Sequence, residues 1–348
     1  MRPFAAIGIA AAVLLGAAGC DSGPSAPTGH ATPETTIEAG APRARAPARP
    51  KLLLAGEGEI WVVDVRSERT RHYVTPELPG GDPPHRVVRR GSRFVLEGAG
   101  TFVAGPRISH RRPLRPIDRS AAFFLPSADP DRVWLFKAGA TAIRFAAARE
   151  ITATGRQTVA AARPPPGWPE RAARSGILFS QSDPTLVLWN PRTRTVVNRL
   201  PASRIGDIGP VHGDTLASCQ SSCRTLRLTD VRTGAQRRFT APHGLAFEPY
   251  NGSFSSTGGE FAVPVAPPGS HGARRLAIVK LDHLAMKLVR RSRVPQGYVM
   301  AEWSRDDRHV FLAGGHRGTA VIVDYDRSRN RVLRLRPTAS AFYDMAAR

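Results

Sequence analysis

From Lys51 onward the chain alternates short apolar runs with polar turns, and the alternation repeats. EIWVVDVRSERTRHYV (59–74), TLVLWNPRTRTVVNRL (185–200), TLRLTDVRTGAQRRFT (225–240), RLAIVKLDHLAMKLVRRSRV (275–294) and TAVIVDYDRSRNRVLRLR (319–336) share one layout. An apolar strand closes on Asp or Asn, a polar turn follows, and a more polar strand runs on to Pro76, Pro201, Pro242, Pro295 or Pro337. Alternation with period two is the mark of half-buried strands. The side chains of Asp64, Asn190, Asp230 and Asp324 can accept hydrogen bonds from the backbone just ahead. Gly234 and Asn330 tolerate positive φ, so these turns suit hairpins.

A further strand precedes each hairpin: KLLLAGEG (51–58), GILFSQSD (176–183), DTLASCQS (214–221), EFAVPVAP (260–267) and HVFLAGGH (309–316). Units of three or four short strands recurring every roughly 40 residues predict an all-β propeller. The units 51–82, 83–120, 121–165, 174–204, 205–246, 247–296 and 297–338 predict seven blades, with six or eight blades, or two smaller β domains, as alternatives. The second and third units are the least regular, although FVLEGAGTFVAG (94–105) and VWLFKAGATAIRFAAA (133–148) still read as hairpins. PPPGWPERA (164–172) reads as a loop between blades, and only LDHLAMKLV (281–289) has a helical flavour. FSSTGGEFAVP (254–264) and WSRDDRHVFLA (303–313) resemble the (F/W)-S-P-D-G-x-x-(L/I)-A phrase of TolB-like and WD-repeat-like propellers. That resemblance implies that the serine and the polar turn cap an innermost hairpin. Arg305 stands at the phrase's proline and Asp307 at its glycine.

The first fifty residues belong to another class. Arg2 precedes the apolar run FAAIGIAAAVLLGAA (4–18), which is short for a bilayer span and ends in small residues, as a signal peptide (1–19) does. AAGC (17–20) resembles the lipobox of bacterial lipoproteins, with Ala17 where leucine is usual. The resemblance implies cleavage before Cys20 and a diacylglycerol on its sulfur. Ordinary signal cleavage, or an uncleaved anchor, are the rival readings. Residues 20–50 contain almost no large apolar side chain and read as a disordered tether. Its reach is roughly 30 Å as a coil, or about 90 Å as polyproline II. Residues 51–348 are the propeller domain.

Charge and chemistry narrow the function. Net charge is +22, and all but Lys51, Lys137, Lys280 and Lys287 of the 50 basic residues are arginine. A cationic body is attracted to lipid headgroups or acidic envelope polymers. RRGSR (89–93), HRRPLR (110–115) and VRRSR (289–293) are short and interrupted, and no nucleic-acid motif accompanies them, so no nucleic-acid partner is expected. Lipidation of Cys20 would leave Cys219 and Cys223 as a pair. CQSSC (219–223) at a hairpin tip reads as a structural disulfide; a zinc half-site or a redox motif are the alternatives. DYDRSRNR (324–331) has alternate oxygen side chains but lacks the glycine and glutamate of a calcium loop, with Leu335 at the last position. With no HExxH, GxSxG, GxGxxG or P-loop pattern, no cofactor or metal is expected. Trp61, Trp134, Trp189 and Trp303 fall in strands and should pack between blades, whereas Trp168 is a candidate loop contact. Asp118, Asp207, His212, Glu248 and Glu302 precede innermost-strand positions and are candidates to line the axis. The expectation is a lipoprotein on the extracytoplasmic face of the cell membrane that binds or scaffolds a protein, glycan or anionic envelope polymer. A hydrolase or lyase acting at the central channel is the alternative.

Overall fold

The computed structural model describes residues 51–56, 59–74, 86–90, 93–98, 100–104, 115–118, 120–139, 144–220, 222–270, 272–283, 285–295, 298–316, 319–336 and 342–347. All of them lie in the unit Ala48–Arg348. The signal peptide, Cys20 and the tether to residue 50 lie outside the described residues. No helix among the described residues is long and apolar enough to cross a membrane.

The described strands form six four-stranded antiparallel sheets and one with a short fifth strand. The first sheet holds Lys51–Gly56, Glu59–Asp64 and Arg69–Val74, with the C-terminal strand Phe342–Ala347 added beside Lys51–Gly56. The second holds Arg86–Arg90, Arg93–Gly98, Gly100–Ala104 and Arg115–Asp118, and the third Ala121–Pro126, Arg132–Lys137, Ala147–Thr152 and Gln157–Ala162. The fourth holds Trp168–Ala173, Gly176–Ser180, Thr185–Asn190 and Thr195–Pro201. The fifth holds Asp207–His212, Thr215–Cys219, Thr225–Asp230 and Gln236–Thr240. In the sixth, Ala246–Phe247 and Ser253–Phe254 both pair with Glu260–Ala266, followed by Arg275–Lys280 and Ala285–Leu288. The seventh holds Tyr298–Trp303, His309–His316, Thr319–Asp326 and Arg331–Leu335.

The sheets pack in succession: Phe342–Ala347 meets Arg86–Arg90, Gly100–Ala104 meets Ala121–Pro126, and Ala121–Pro126 meets Trp168–Ala173, which leads on to Asp207–His212, residues 246–254, Tyr298–Trp303 and back to Phe342–Ala347. Together they ring an axis, which is a propeller arrangement with almost no helix. The ring is closed by the last described strand, which pairs with the first (Leu52 opposite Ala347, Leu54 opposite Met345).

The core lies between sheets. Leu52, Leu54, Trp61 and Val63 of the first sheet pack with Phe311, Ile322 and Leu335 of the seventh. Trp134 and Phe136 of the third pack with Ile177, Phe179 and Trp189 of the fourth. Trp61, Trp134, Trp189 and Trp303 are all buried. Period-two strands suit this layout because their apolar side chains meet those of a neighbouring sheet on at least one face.

Both turns that carry the propeller phrase cap a hairpin. Glu260 N–H donates to Ser255 Oγ at 3.1 Å, and His309 N–H donates to Ser304 Oγ at 2.8 Å. Gly258 and Asp307 hold equivalent left-handed positions, with φ +72° and +52°. The same turns tie sheets together. Ser256 N–H and Oγ donate to the Asp307 carboxylate at 2.8 and 2.5 Å. Ser175 N–H and Oγ donate likewise to Asp214 at 2.8 and 2.7 Å, from the fourth sheet to the fifth.

Two local expectations are corrected. The segment read as a loop between blades contains the strand Trp168–Ala173, an edge strand of the fourth sheet. Proline is tolerated there because Pro169 sits at a register shift on a sheet edge, where its missing N–H leaves no ladder bond broken. The segment 281–289 forms a turn and the strand Ala285–Leu288 rather than helix, its register fixed by pairing with Arg275–Lys280.

Candidate functional site

Five arginine or acidic groups and one tyrosine gather on the inner edge of the ring from strands far apart in sequence. Glu302 lies on Tyr298–Trp303, Asp344 on Phe342–Ala347, and Arg89 and Arg90 on Arg86–Arg90. These are consecutive inner strands. Asp344 is fixed by two backbone donors, Val87 N–H at 2.8 Å and Met345 N–H at 2.9 Å. Arg89 Nη1 reaches Ala347 O at 3.4 Å. Glu302 is pushed up to about 8, first by removal from water and then by the Asp344 carboxylate, while Arg90 and Arg89 pull the other way. Arg90 is pushed down to about 10 by burial, against the attraction of Glu302, Asp129 and Asp131. Its Nε is sealed from solvent and has no hydrogen-bond partner.

Next to the strand of Glu302, the inner edge of the sixth sheet is interrupted by a short turn, Pro249–Asn251. Tyr250 stands out from it, 67% exposed. Arg171 of the fourth sheet crosses the fifth to lie over the Tyr250 ring at 5.4 Å, its Nε donating to Gly209 O at 2.9 Å. A Cβ at residue 209 would sit 2.7 Å from Pro249 O, so only glycine lets this turn rest on the fifth sheet.

The axis candidates from the sequence therefore part company. Glu302 belongs to the axial group. Asp118 ends the outer strand of the second sheet, where its carboxylate accepts from Ser120 N–H and Oγ, both at 2.7 Å, and pairs with Arg149. Asp207 and His212 occupy opposite ends of one inner strand, roughly 17 Å apart at strand rise. Asp207 is exposed, with Cys223 Sγ 3.8 Å from its carboxylate. His212 packs beside Phe254, and burial followed by Arg174 pushes its pKa down. Glu248 pairs with Arg274 at 2.8 Å. Sequence reading missed Arg90, Arg171, Tyr250 and Asp344.

Trp168 opens its inner strand and is 42% exposed. It is held against Phe123 at 5.1 Å and Phe145 at 5.7 Å between ring centroids. The Cys219–Cys223 disulfide is formed, so the neighbouring Asp207 carboxylate faces a cystine rather than two thiolates. Between the sixth and seventh sheets a depression of about 340 Å³ is lined by Glu260, Lys280, Asp282, Asp307 and Arg327. Its main charges are already paired: Arg327 meets Glu260 at 2.5 Å and donates to Asp307 O at 2.9 Å.

No family model matches the chain, and no curated protein matches it. Solved structures do. A putative 6-phosphogluconolactonase from Bacteroides fragilis is similar over 88% of this chain and 99% of its own, with TM-score 0.51 and 8% identity. An oligogalacturonate lyase in complex with manganese is similar over 70% of this chain and 73% of its own, with TM-score 0.50 and 13% identity. TolB from Acinetobacter baumannii aligns over 86% of this chain and 82% of its own at TM-score 0.47 and 15% identity. At these identities the likeness is one of fold.

Proposed function

We propose that this protein is a lipid-anchored lipoprotein of the bacterial envelope, a seven-bladed propeller whose face around Trp168 binds an anionic glycan or polymer. The observation that carries the reading is Trp168 itself, an indole half open to solvent yet clamped by Phe123 and Phe145. A rigid aromatic plane at the mouth of the ring stacks on an apolar sugar face at little cost in side-chain freedom. The net charge of +22 supplies attraction for acidic groups. The leader through residue 19, lipidation of Cys20 and the tether to residue 50 would hold that face off the extracytoplasmic side of the membrane.

Cosedimentation of the purified mature protein with envelope polysaccharide tests the binding. Trp168→Ala should weaken it at least tenfold, and added salt should weaken wild type. Equal binding by wild type and variant sinks the reading. Labelling with an alkyne fatty acid tests the anchor: Cys20→Ala should lose the label and enter the medium.

A second reading, a hydrolase or lyase at the axis, is favoured by Glu302 alone. A carboxyl group pushed up to about 8 is a proton donor at neutral pH. Turnover of an envelope glycan that Glu302→Gln abolishes would establish it.

A further inference from the structure

We infer that the outer rim of five consecutive sheets, from the fourth through the seventh to the first, binds a flexible linear polymer with phosphate in its backbone, which winds along the rim. The surface is the edge of the sheets opposite the inner strands, so the inference does not rest on the Trp168 face.

The outermost strands of these sheets are Thr195–Pro201, Gln236–Thr240, Ala285–Leu288, Arg331–Leu335 and Arg69–Val74, and the sheets follow one another around the ring. None of these strands contains Asp or Glu. Arg69 and Arg71, Arg237 and Arg238, and Arg331 and Arg334 are all exposed, a pair on each of three sheets. Arg199 and Lys287 are exposed on the other two. Among the described residues none of these cations meets a carboxylate within 4.0 Å. Where they are held, the acceptor is neutral: Arg237 and Arg334 donate to the carbonyls of Leu281 and Arg293, Arg199 to Gln181 Oε1 and Lys287 to Tyr325 OH. Such bonds fix the side chain and leave its charge uncancelled. The carboxylates that precede the strands, Asp64, Asp230 and Asp326, are turned onto the backbone N–H groups of Ser67, Thr233 and Arg329.

Edge protection does not account for the pattern. A charged side chain on an open edge strand blocks pairing with another chain. The outer strand of the third sheet, Gln157–Ala162, is equally open and carries no charge, with Ala160 and Ala161 exposed. The charge therefore lies along one continuous arc rather than on every edge. A flat anionic bilayer touches a convex rim at one or two neighbouring sheets and leaves the remaining cations unused, whereas a flexible chain can bend around all five sheets. Alternate residues such as Arg69 and Arg71 stand about 7 Å apart along a strand. A guanidinium fork matches the two free oxygens of a phosphate link. With phosphate in the backbone every link offers that pair of oxygens, so successive forks meet successive links. Single contacts of this kind are weak in water, and their strength comes from summation along the chain and from the counterions released.

The test is calorimetric titration of the purified mature protein with long-chain polyphosphate, tripolyphosphate, polygalacturonate and phosphatidylglycerol vesicles at matched anion concentration. The long chain should bind roughly a hundredfold or more tightly than tripolyphosphate. It should also bind more tightly than polygalacturonate or the vesicles, with log K falling against log salt at a slope steeper than about −3. Arg69→Gln with Arg71→Gln, Arg237→Gln with Arg238→Gln, and Arg331→Gln with Arg334→Gln should each weaken binding about fivefold and flatten the slope by about one. Arg156→Gln with Arg163→Gln removes the same charge from exposed positions flanking the uncharged outer strand of the third sheet, and should change binding by less than about twofold. Equal loss from that control pair overturns the inference, because net charge alone would then be at work. Loss confined to one of the three sheets overturns it too, as does tighter binding to polygalacturonate or to vesicles, or no gain with chain length.

Discussion

Replacing Glu302 by glutamine should stabilise the protein, and by an amount that grows with pH. In the unfolded chain a glutamate titrates near 4.3, whereas in the folded ring Glu302 is pushed up to about 8. Below the unfolded value both states carry the proton and the side chain is neutral in each. As pH rises toward 8 the unfolded chain releases the proton and the folded one retains it, so folding becomes less favourable by about 1.4 kcal/mol per unit. At pH 7 the accumulated penalty is roughly 3.5 kcal/mol, levelling off once pH passes the folded value. Glutamine is close in size and cannot ionise, so it removes that penalty. The assay is chemical denaturation of wild type and Glu302→Gln at unit steps from pH 4 to pH 9. The curves should coincide at the acid end and separate steadily through the window, with the variant the more stable. A separation that is constant across pH, or a variant less stable at pH 8 than at pH 4, would refute the reasoning.

Three further outcomes follow from the packing and the turns. Phe136 is fully buried among Phe123, Phe145 and Phe179, so Phe136→Ala should cost about 3–5 kcal/mol in denaturant unfolding. Asp307→Ala removes the acceptor of two bonds from Ser256 and should cost about 1–2 kcal/mol. Asp307→Gly should cost about 0.5–1 kcal/mol less than alanine, because φ is +52°, and a thermal-melt series with the reverse order would remove the strain term. His309 is held by Asp324 at 2.8 Å, a bond that raises its pKa above the ordinary 6.5. The stability this pair contributes is fully present below the unfolded value and fades as pH rises through the folded one. The deficit of His309→Gln should therefore be larger at pH 5.5 than at pH 8.5 when both proteins are melted side by side.

Much of the fold is legible because its cues are local. Alternation in TLVLWN or TAVIVD needs only two neighbouring positions to declare a strand, and Asp64, Asn190 and Asp230 declare turns by bonding N–H groups two or three residues on. The errors fall where pairing with distant strands overrides local preference. WPERAA carries a proline and two charges, yet it pairs with Gly176–Ser180 and ends with Ala172 and Ala173 buried. The axial group is less legible still. Arg89 and Arg90 sit in RVVRRGSR, which looks like a solvated basic stretch, and nothing in it points to residues 302 and 344. Only ring geometry brings those groups to one place. Gly209 was the one available signal, a glycine inside a strand, which marks a spot where another backbone comes close.

The pairing of Leu54 with Met345 has a consequence for how the chain can be made. Every other sheet is assembled from strands that leave the ribosome in succession, so partial blades can form while synthesis continues. The first sheet cannot: its axial strand, Phe342–Ala347, emerges only after every other described strand. Until then Leu52 and Leu54 lack their axial partners, and the growing molecule is an open arc whose two raw edges wait for one another. The strand Phe342–Ala347 is therefore the clasp of the whole ring, and its removal would leave an unlatched arc rather than a slightly shorter propeller.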